Sequence, residues 1–526
     1  MNTKHYPKIT KQDLQKILQS RNCAQGIESL KDLPPPDMLK CVSEAAQLVA
    51  KKMNEGGKII VVGDYDADGV CSSSLMLRFF ETLGYKNFEI FIPNRFSDGY
   101  GISPSILERI NAVQKNALVI TVDNGVSAYE AADYCKQHNL ELIITDHHTP
   151  SETLPNATFI INPKQQDCNY PFKEVCGCVV AWYFCAGIKV ALKSDIDLKE
   201  FLPLLALATL GDLMPLVGVN RIFVQKGLEV LKNSKSPAYR VITQKLIRIN
   251  AQEVSFNIVP LLNCAGRMEN AKLAVDFLCA KNIQRAYETF NALESLNKER
   301  KRIQKETYEK VQIACVEKDN LVYAIGEGWH IGVLGVVCSQ LAREYKKTAI
   351  VLGVEIRNDV KILKGSGRAF GSENLIGTAQ KVQGIKPLML EFGGHNGALG
   401  LSLPIGSERE FLELFSTHLE STNIKHDEIL GEISGDEIDM DLLKLIESFE
   451  PYGEENVLPH FICNDLELVT SKVFGKQQNH LQCSLKNSKG KSINGVAFFC
   501  TQLSKSFTFC LSRDFRHNLC LQIRVV

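Results

Sequence analysis

Between about residue 57 and residue 162 the apolar positions come in short unbroken runs. Ile/Val/Leu-rich runs at 58–63, 88–92, 117–122, 140–145 and 158–161 are separated by longer mixed stretches at 70–83, 103–111 and 126–138. An unbroken apolar run of this length predicts a strand buried on both faces, as in a parallel sheet. Strands alternating with helical stretches form βαβ units, so a doubly wound parallel sheet is expected here. The pattern then changes. Residues 176–270 read as mainly helical. Residues 283–318 read as one long charged helix with a broken apolar stripe at Leu293, Leu296, Ile303 and Val311, as in a solvent-washed connector. A second α/β region covers 320–405, with strands at 321–326, 348–353 and 360–364, and helices with an acidic surface follow at 406–450. From about 455 the runs shorten to FICNDLELV, HLQCSLK, SINGVAFF, FTFCLS and LCLQIRVV. About five short strands with polar turns suit a small barrel of the OB type. Residues 1–55 read as short packing helices broken at Pro34-Pro35-Pro36.

Composition narrows this little. A chain of 526 residues has room for about three or four domains. Lys+Arg and Asp+Glu both number 60, which excludes a wholesale basic nucleic-acid binder but leaves room for a local positive channel. The 17 cysteines are scattered among apolar segments with no C-x-x-C pair, so they read as reduced core thiols of a cytosolic protein. The run FLPLLALATLGDLMPLVGV at 201–219 is long enough to span a bilayer. Its central Asp212 would cost about 2.5–3.5 kcal/mol there. A buried helix ending at a functional aspartate is expected instead.

The strand ends carry the chemistry. IIVV at 59–62 stops at Gly63 and is followed by Asp64, Asp66 and Asp68 at alternate positions. The second strand leads to Pro93-Asn94-Arg95 and Asp98-Gly99-Tyr100-Gly101, the third to Asp123-Asn124-Gly125, and the fourth to Asp146-His147-His148. Ligands of open α/β sheets sit past the carboxyl ends of the strands. Each segment alone reads as ordinary turn chemistry. Together they crowd carboxylates and imidazoles onto one sheet edge, where only a cation relieves the repulsion. Carboxylate with imidazole suits Mn²⁺ better than a zinc thiolate site does. Further along, Asn263-Cys264-Ala265-Gly266-Arg267, Gly365-Ser366-Gly367-Arg368 and Gly393-Gly394-His395-Asn396-Gly397 read as turns. The glycine-rich two fit neither a Walker A loop nor a dinucleotide fingerprint, but such turns let backbone N–H groups approach a phosphate.

Taken in chain order, DYDADG, PNR, DNG, DHH and GDLMPL resemble the motif series of the DHH phosphoesterase superfamily. Within it, the chain is similar to the bacterial single-strand-specific 5′→3′ exonucleases. NCAGR is similar to a further motif of that family, GSGRA and GGHNGALG to its DHH-associated domain, and the β-rich tail lies where its OB-fold lies. The resemblance implies an N-terminal helical segment (1–55), a DHH catalytic domain with a parallel sheet (56–282), a long connecting helix (283–319), a second α/β DHH-associated domain (320–450) and an OB-like β-barrel (451–526). It implies two divalent cations, Mn²⁺ or Mg²⁺. Asp66, Asp68, Asp123, His147 and Asp212 would be direct ligands, with Asp123 bridging. Asp64, Asp146 and His148 would be ligands or their supports, and His148 would join the catalytic set. Arg95, Arg267, Ser366, Arg368 and His395 would bind DNA and its 5′-phosphate. Lys472, Lys476, Lys486 and Lys491 are candidates for a positive groove on the tail.

The implied activity is metal-dependent 5′→3′ degradation of single-stranded DNA to 5′-mononucleotides, in recombination and repair. Single-stranded DNA would be the partner, with a helicase and a single-strand-binding protein as further candidates. A cytoplasmic monomer with no membrane contact is expected. The chain ends just after the last predicted strand, so no further C-terminal domain is expected. Other members of the superfamily hydrolyse pyrophosphate, short oligonucleotides or cyclic dinucleotides; the long connector and β-rich tail argue for a polymer. A non-catalytic scaffold of the same fold would have lost ligands, and none is missing here.

Overall fold

The computed structural model describes residues 6–22, 26–357, 359–395, 397–420, 429–475, 478–504, 506–514 and 518–524. They fall into two compact units: Met1–Ala265 with Asn270–Asn291 and Asp427–Val526, and Gly266–Glu269 with Ala292–His426.

The first unit contains the expected parallel sheet. Its strands are β1 (Ile59–Val62), β2 (Phe88–Phe91), β3 (Leu118–Val122), β4 (Leu142–Thr145) and β5 (Phe159–Ile161), in the order β2-β1-β3-β4-β5. Every pairing is parallel. All residues of β1, β3 and β4 are buried, which explains their unbroken apolar composition, whereas edge strand β2 is only half-covered. The chain runs from β1 to β2 on one side and then crosses to β3 on the other. That reversal opens a crevice at the carboxyl ends of β1 and β3, the usual ligand position in such sheets. The helices Ala67–Thr82, Gly177–Leu192 and Leu202–Gly211 pack on one another. Leu202–Gly211 is buried along nearly all its length. Among the described residues no helix is long and apolar enough to cross a membrane.

The same unit holds a seven-stranded sheet. Its strands are, by range, Ile429–Glu432, His460–Cys463, Glu467–Phe474, His480–Lys486, Ser492–Ala497, Phe507–Arg513 and Leu519–Arg524. It is larger than the five-strand expectation, and it starts ahead of residue 451. In His480–Lys486, Leu481, Cys483 and Leu485 point inward while Gln482 and Lys486 are exposed, the alternation of a sheet with one wet face. The first residues of the chain do more than the expected local packing. Ile9 N donates to Glu432 O at 2.9 Å and Glu432 N to Pro7 O at 2.8 Å. Leu14 and Leu18, on the helix Lys11–Asn22, are fully buried in the core formed with Phe461, Phe509, Leu481 and Ile523.

The second unit carries most of the long helix Ile283–Ala314 and a six-stranded mixed sheet. Continuing in chain order, its strands are β6 (Val316–Glu317), β7 (Leu321–Gly326), β8 (Thr348–Arg357), β9 (Val360–Arg368), β10 (Glu391–His395) and β11 (Ala398–Pro404), in the order β10-β11-β9-β8-β7-β6. The seven strands of the first unit's second sheet follow as β12 to β18.

Two expected turns are corrected here and a third is shortened. Gly365-Ser366-Gly367-Arg368 is the end of β9, paired to β8 and β11 on its two sides. A Cβ on Gly365 would lie 1.9 Å from Val351 O, so this glycine serves close strand approach and not a turn. Gly393 and Gly394 lie in β10, Gly397 stands in the turn that leads back into β11, and Asn396 lies outside the described residues. Asn263 to Arg267 belong to the helix Val259–Met268. In β9 and in the helix Val259–Met268 glycine composition mimics a turn signal, and pairing or helix continuation overrides it.

Candidate metal centre

Asp66 is the N-cap of the helix Ala67–Thr82; its Oδ1 accepts from Asp68 N at 3.0 Å and Gly69 N at 3.1 Å. This cap places Asp68 in the first turn, buried under the helix Gly177–Leu192. There Asp68 Oδ2 accepts from Gly177 N at 2.6 Å and Oδ1 from Cys178 N at 2.8 Å. Asp123 follows β3 with φ +62°, a left-handed backbone that a non-glycine residue holds only under constraint. His147 and His148 follow β4, and Asp212 follows the helix Leu202–Gly211.

These residues converge. Three groups bring their ligand atoms within 4.8 Å of one another: Asp64, Asp66 and Asp123; Asp68, His147 and Asp212; and Asp123, His147 and His148. His147 Nε2 lies 3.2 Å from Asp123 Oδ1, 3.6 Å from Asp212 Oδ2 and 3.7 Å from Asp68 Oδ2. Burial, and then mutual repulsion, hold Asp64, Asp123 and Asp212 well above the usual carboxylate range and push Asp68 up to about 6. Asp64 Oδ1, Asp123 Oδ1 and Asp212 Oδ2 are buried with no hydrogen bond. Buried carboxylates without donors need protons or cations. Overlapping oxygen and imidazole donor sets, linked through Asp123 and His147, fit two hard divalent ions.

Asp146 does not stand among the donors. Its Oδ1 accepts from His147 N and His148 N and meets His148 Nδ1 at 2.7 Å, while Oδ2 accepts from Val126 N at 2.8 Å. Burial alone would raise its pKa, but His148 outweighs it and holds Asp146 below the usual range. Burial likewise opposes charging His148, yet Asp146 carries it up to about 9. Asp146 thus orients His148 from behind, as carboxylates orient ligating imidazoles.

Several supports escape a reading of motifs alone. Asn124 donates to Val62 O at 3.1 Å and Val122 O at 2.9 Å and accepts from Ile102 N, tying the ends of β1 and β3 to the loop that follows β2. Its position in the turn-like DNG segment conceals this. Tyr100 Oη approaches His148 Nε2 at 3.4 Å. Gly177 and Cys178 carry no signal in the sequence at all. Asp98, by contrast, serves its own loop: Arg109 grips both of its oxygens and holds its pKa down to about 2.

Arg95 lies over the Tyr65 ring at 5.2 Å. In the second unit, Arg368 donates to Ser366 Oγ at 2.6 Å and to Gly367 O at 2.7 Å. Arg267 lies near the end of its helix. The side chain of His395 and all of Lys476 lie outside the described residues.

The DHH family N-terminal domain matches residues 58–209, the DHHA1 domain 318–421 and the RecJ OB domain 429–525. The single-stranded-DNA-specific exonuclease RecJ of Escherichia coli (strain K12) is 30% identical over 505 residues, covering 90% of this chain and 86% of the relative. RecJ of Salmonella typhimurium is 30% identical over 522 residues, covering 92% and 89%. Among solved structures, exonuclease RecJ bound to manganese shares 26% identity with a TM-score of 0.61, covering 72% of this chain and 94% of that one. RecJ of Thermus thermophilus with Mn²⁺ has the same fold at a TM-score of 0.77 and 24% identity, covering 94% and 72%. With all three domain matches in order and the identity sustained along the relatives' length, the chain belongs to the RecJ family of DHH phosphoesterases.

Proposed function

We propose that the chain is a metal-dependent exonuclease that degrades single-stranded DNA from the 5′ end to 5′-mononucleotides. The observation that carries this is the set of three overlapping donor groups, linked through Asp123 and His147, at the carboxyl edge of the parallel sheet. Divalent ions held there would supply Lewis-acid stabilisation of a phosphodiester and a more acidic bound water. In this reading Asp66, Asp68, Asp123, His147 and Asp212 are the ligands, Asp64 completes the first group, and His148 faces the reacting phosphate. Asp146 meets His148 at Nδ1 and orients it, so that the imidazole can hydrogen-bond the phosphate or its leaving oxygen.

A terminal phosphate has more acceptor oxygens than an internal diester. Arginine forks suit it, and the candidates are Arg95 in the first unit and Arg267 and Arg368, the last braced by Ser366, in the second, each taken by itself. The exposed face of β14 to β16, with Lys472, Lys486 and the outward Phe498 and Phe499, is suited to the strand's backbone and bases. Lys491 is exposed just before β16. The setting this implies is a cytoplasmic monomer acting in recombination and repair, with a helicase and a single-strand-binding protein as candidate partners.

The test is digestion of 5′-phosphorylated single strands with Mn²⁺, with duplex, cyclic dinucleotide and 5′-hydroxyl strands as controls. Mononucleotides should leave the 5′ end of the single strand and stop on chelation. Arg368→Ala should lose more activity on phosphorylated than on hydroxyl ends. Equal cleavage of duplex, or release from the 3′ end, would sink this reading.

A further inference from the structure

We propose that the first turn of the helix Gly177–Leu192, with Gly177 at its contact point, is the positioning element that fixes Asp68 against Asp123 and so lets the centre hold two ions. This rests on the two-ion reading above. The two backbone N–H groups of Gly177 and Cys178 take both oxygens of Asp68, at 2.6 and 2.8 Å. They stand at the start of a 16-residue helix, whose partial positive charge offsets part of the acidic crowding. Asp68 therefore presents its remaining lone pairs in one fixed direction.

Gly177 meets Asp123 on its other side. A Cβ at position 177 would lie 2.5 Å from Asp123 Oδ1, 2.7 Å from its Cβ and 2.8 Å from its Cγ. Asp123 is 1% exposed and held in a left-handed backbone, so it has no room to swing away. Gly177 is not among the positive-φ residues. The requirement is therefore the missing side chain itself. One residue thus touches the carboxylate of one donor group and the carboxylate that the other two groups share. Adding a methyl there would part the two and leave a site for one ion.

Gly187 on the same helix provides the contrast. Its added Cβ would meet Val42 Cγ1 at 2.5 Å, an apolar side chain of the helix Val42–Asn54. Gly187→Ala should affect stability and leave the metal centre alone.

The experiment strips the full-length protein of metal and titrates it with Mn²⁺, counting ions by calorimetry and reading the exchange coupling of a carboxylate-bridged Mn²⁺ pair by electron paramagnetic resonance. Wild type and Gly187→Ala should bind two coupled ions. Gly177→Ala should bind one, or the second about tenfold or more weakly, with the coupled signal lost. Cys178→Pro removes the amide donor to Asp68 Oδ1 and sets the proline ring against that oxygen. It should weaken Mn²⁺ binding by about tenfold, and it decides the matter if Gly177→Ala does not fold. Two coupled ions at wild-type affinity in Gly177→Ala, or in Cys178→Pro where that variant decides, would overturn the proposal. A wild type that binds a single ion would overturn the two-ion reading itself and this proposal with it.

Discussion

The parallel sheet β1–β5 and the seven-stranded sheet β12–β18 lie in one unit, yet they offer chemistry in opposite ways. The parallel sheet is covered on both faces, so its strands have no surface to spend on function. Chemistry is confined to the strand ends, where Asp64, Asp123 and Asp146 to His148 meet in a buried, charge-crowded edge. The other sheet buries one face, lined by Leu481, Cys483, Leu485 and Ile493, and leaves the other to Lys472, Gln482 and Lys486. Phe499 is 83% exposed at the edge of that face. A buried strand end suits catalysis, which needs fixed geometry and low dielectric. An open face suits a polymer, which needs area, charge and stacking.

If the contrast holds, damage at the strand ends should act on turnover and damage on the face should act on affinity. The largest effect is expected from Asp123→Ala, which removes the carboxylate common to two of the donor groups. Turnover should fall by about 10³-fold or more, a barrier change of several kcal/mol. The metal-free variant should melt no lower than metal-free wild type, because one buried repulsive carboxylate is gone; single-turnover digestion and thermal melting check both. Next, Asp146→Ala leaves the donors in place and frees His148, so turnover should fall by about 10- to 100-fold with KM little changed. An unchanged rate would mean His148 needs no partner.

On the open face, Phe498→Ala with Phe499→Ala should weaken binding of long single strands by about tenfold. The Lys472→Ala, Lys486→Ala pair should flatten the salt dependence of that binding. A fall in turnover on very short strands would break the contrast. The smallest effect concerns the attachment of β17. Glu447 accepts from Arg513 Nε and Nη2 at 2.7 and 2.6 Å and from Arg248 Nη2 at 2.8 Å. The hydrogen bond from Arg513, foremost, lowers its pKa despite partial burial. A depressed carboxylate stabilises the fold above its unfolded pKa, and the gain is lost as pH falls through its folded value. Glu447→Gln should therefore melt about 2 °C lower at neutral pH, with the gap closing in acid.

What could be read along the chain was whatever depends on near neighbours. The strands of the first sheet, the helix ending at Asp212 and the acidic and imidazole residues that crowd the sheet edge were legible for a local reason. Burial on both faces forces unbroken apolar runs, and each strand end delivers the residues next in the chain to the sheet edge. GSGR and the Asn263 segment were misread because glycine spacing looks alike in a turn, a tightly paired strand and a helix. What only the tertiary structure decided depends on residues far apart in the chain. Asp146 turned away from the donors because Val126 N and His148 claim its oxygens. Residues 7–18 joined the C-terminal sheet, more than four hundred positions away, because β12 had an open edge and its core had room for Leu14 and Leu18. Gly177 lies beside Asp68 and Asp123 only through helix packing. Local pattern thus determines which residues can do the chemistry, and long-range packing determines which way each one faces.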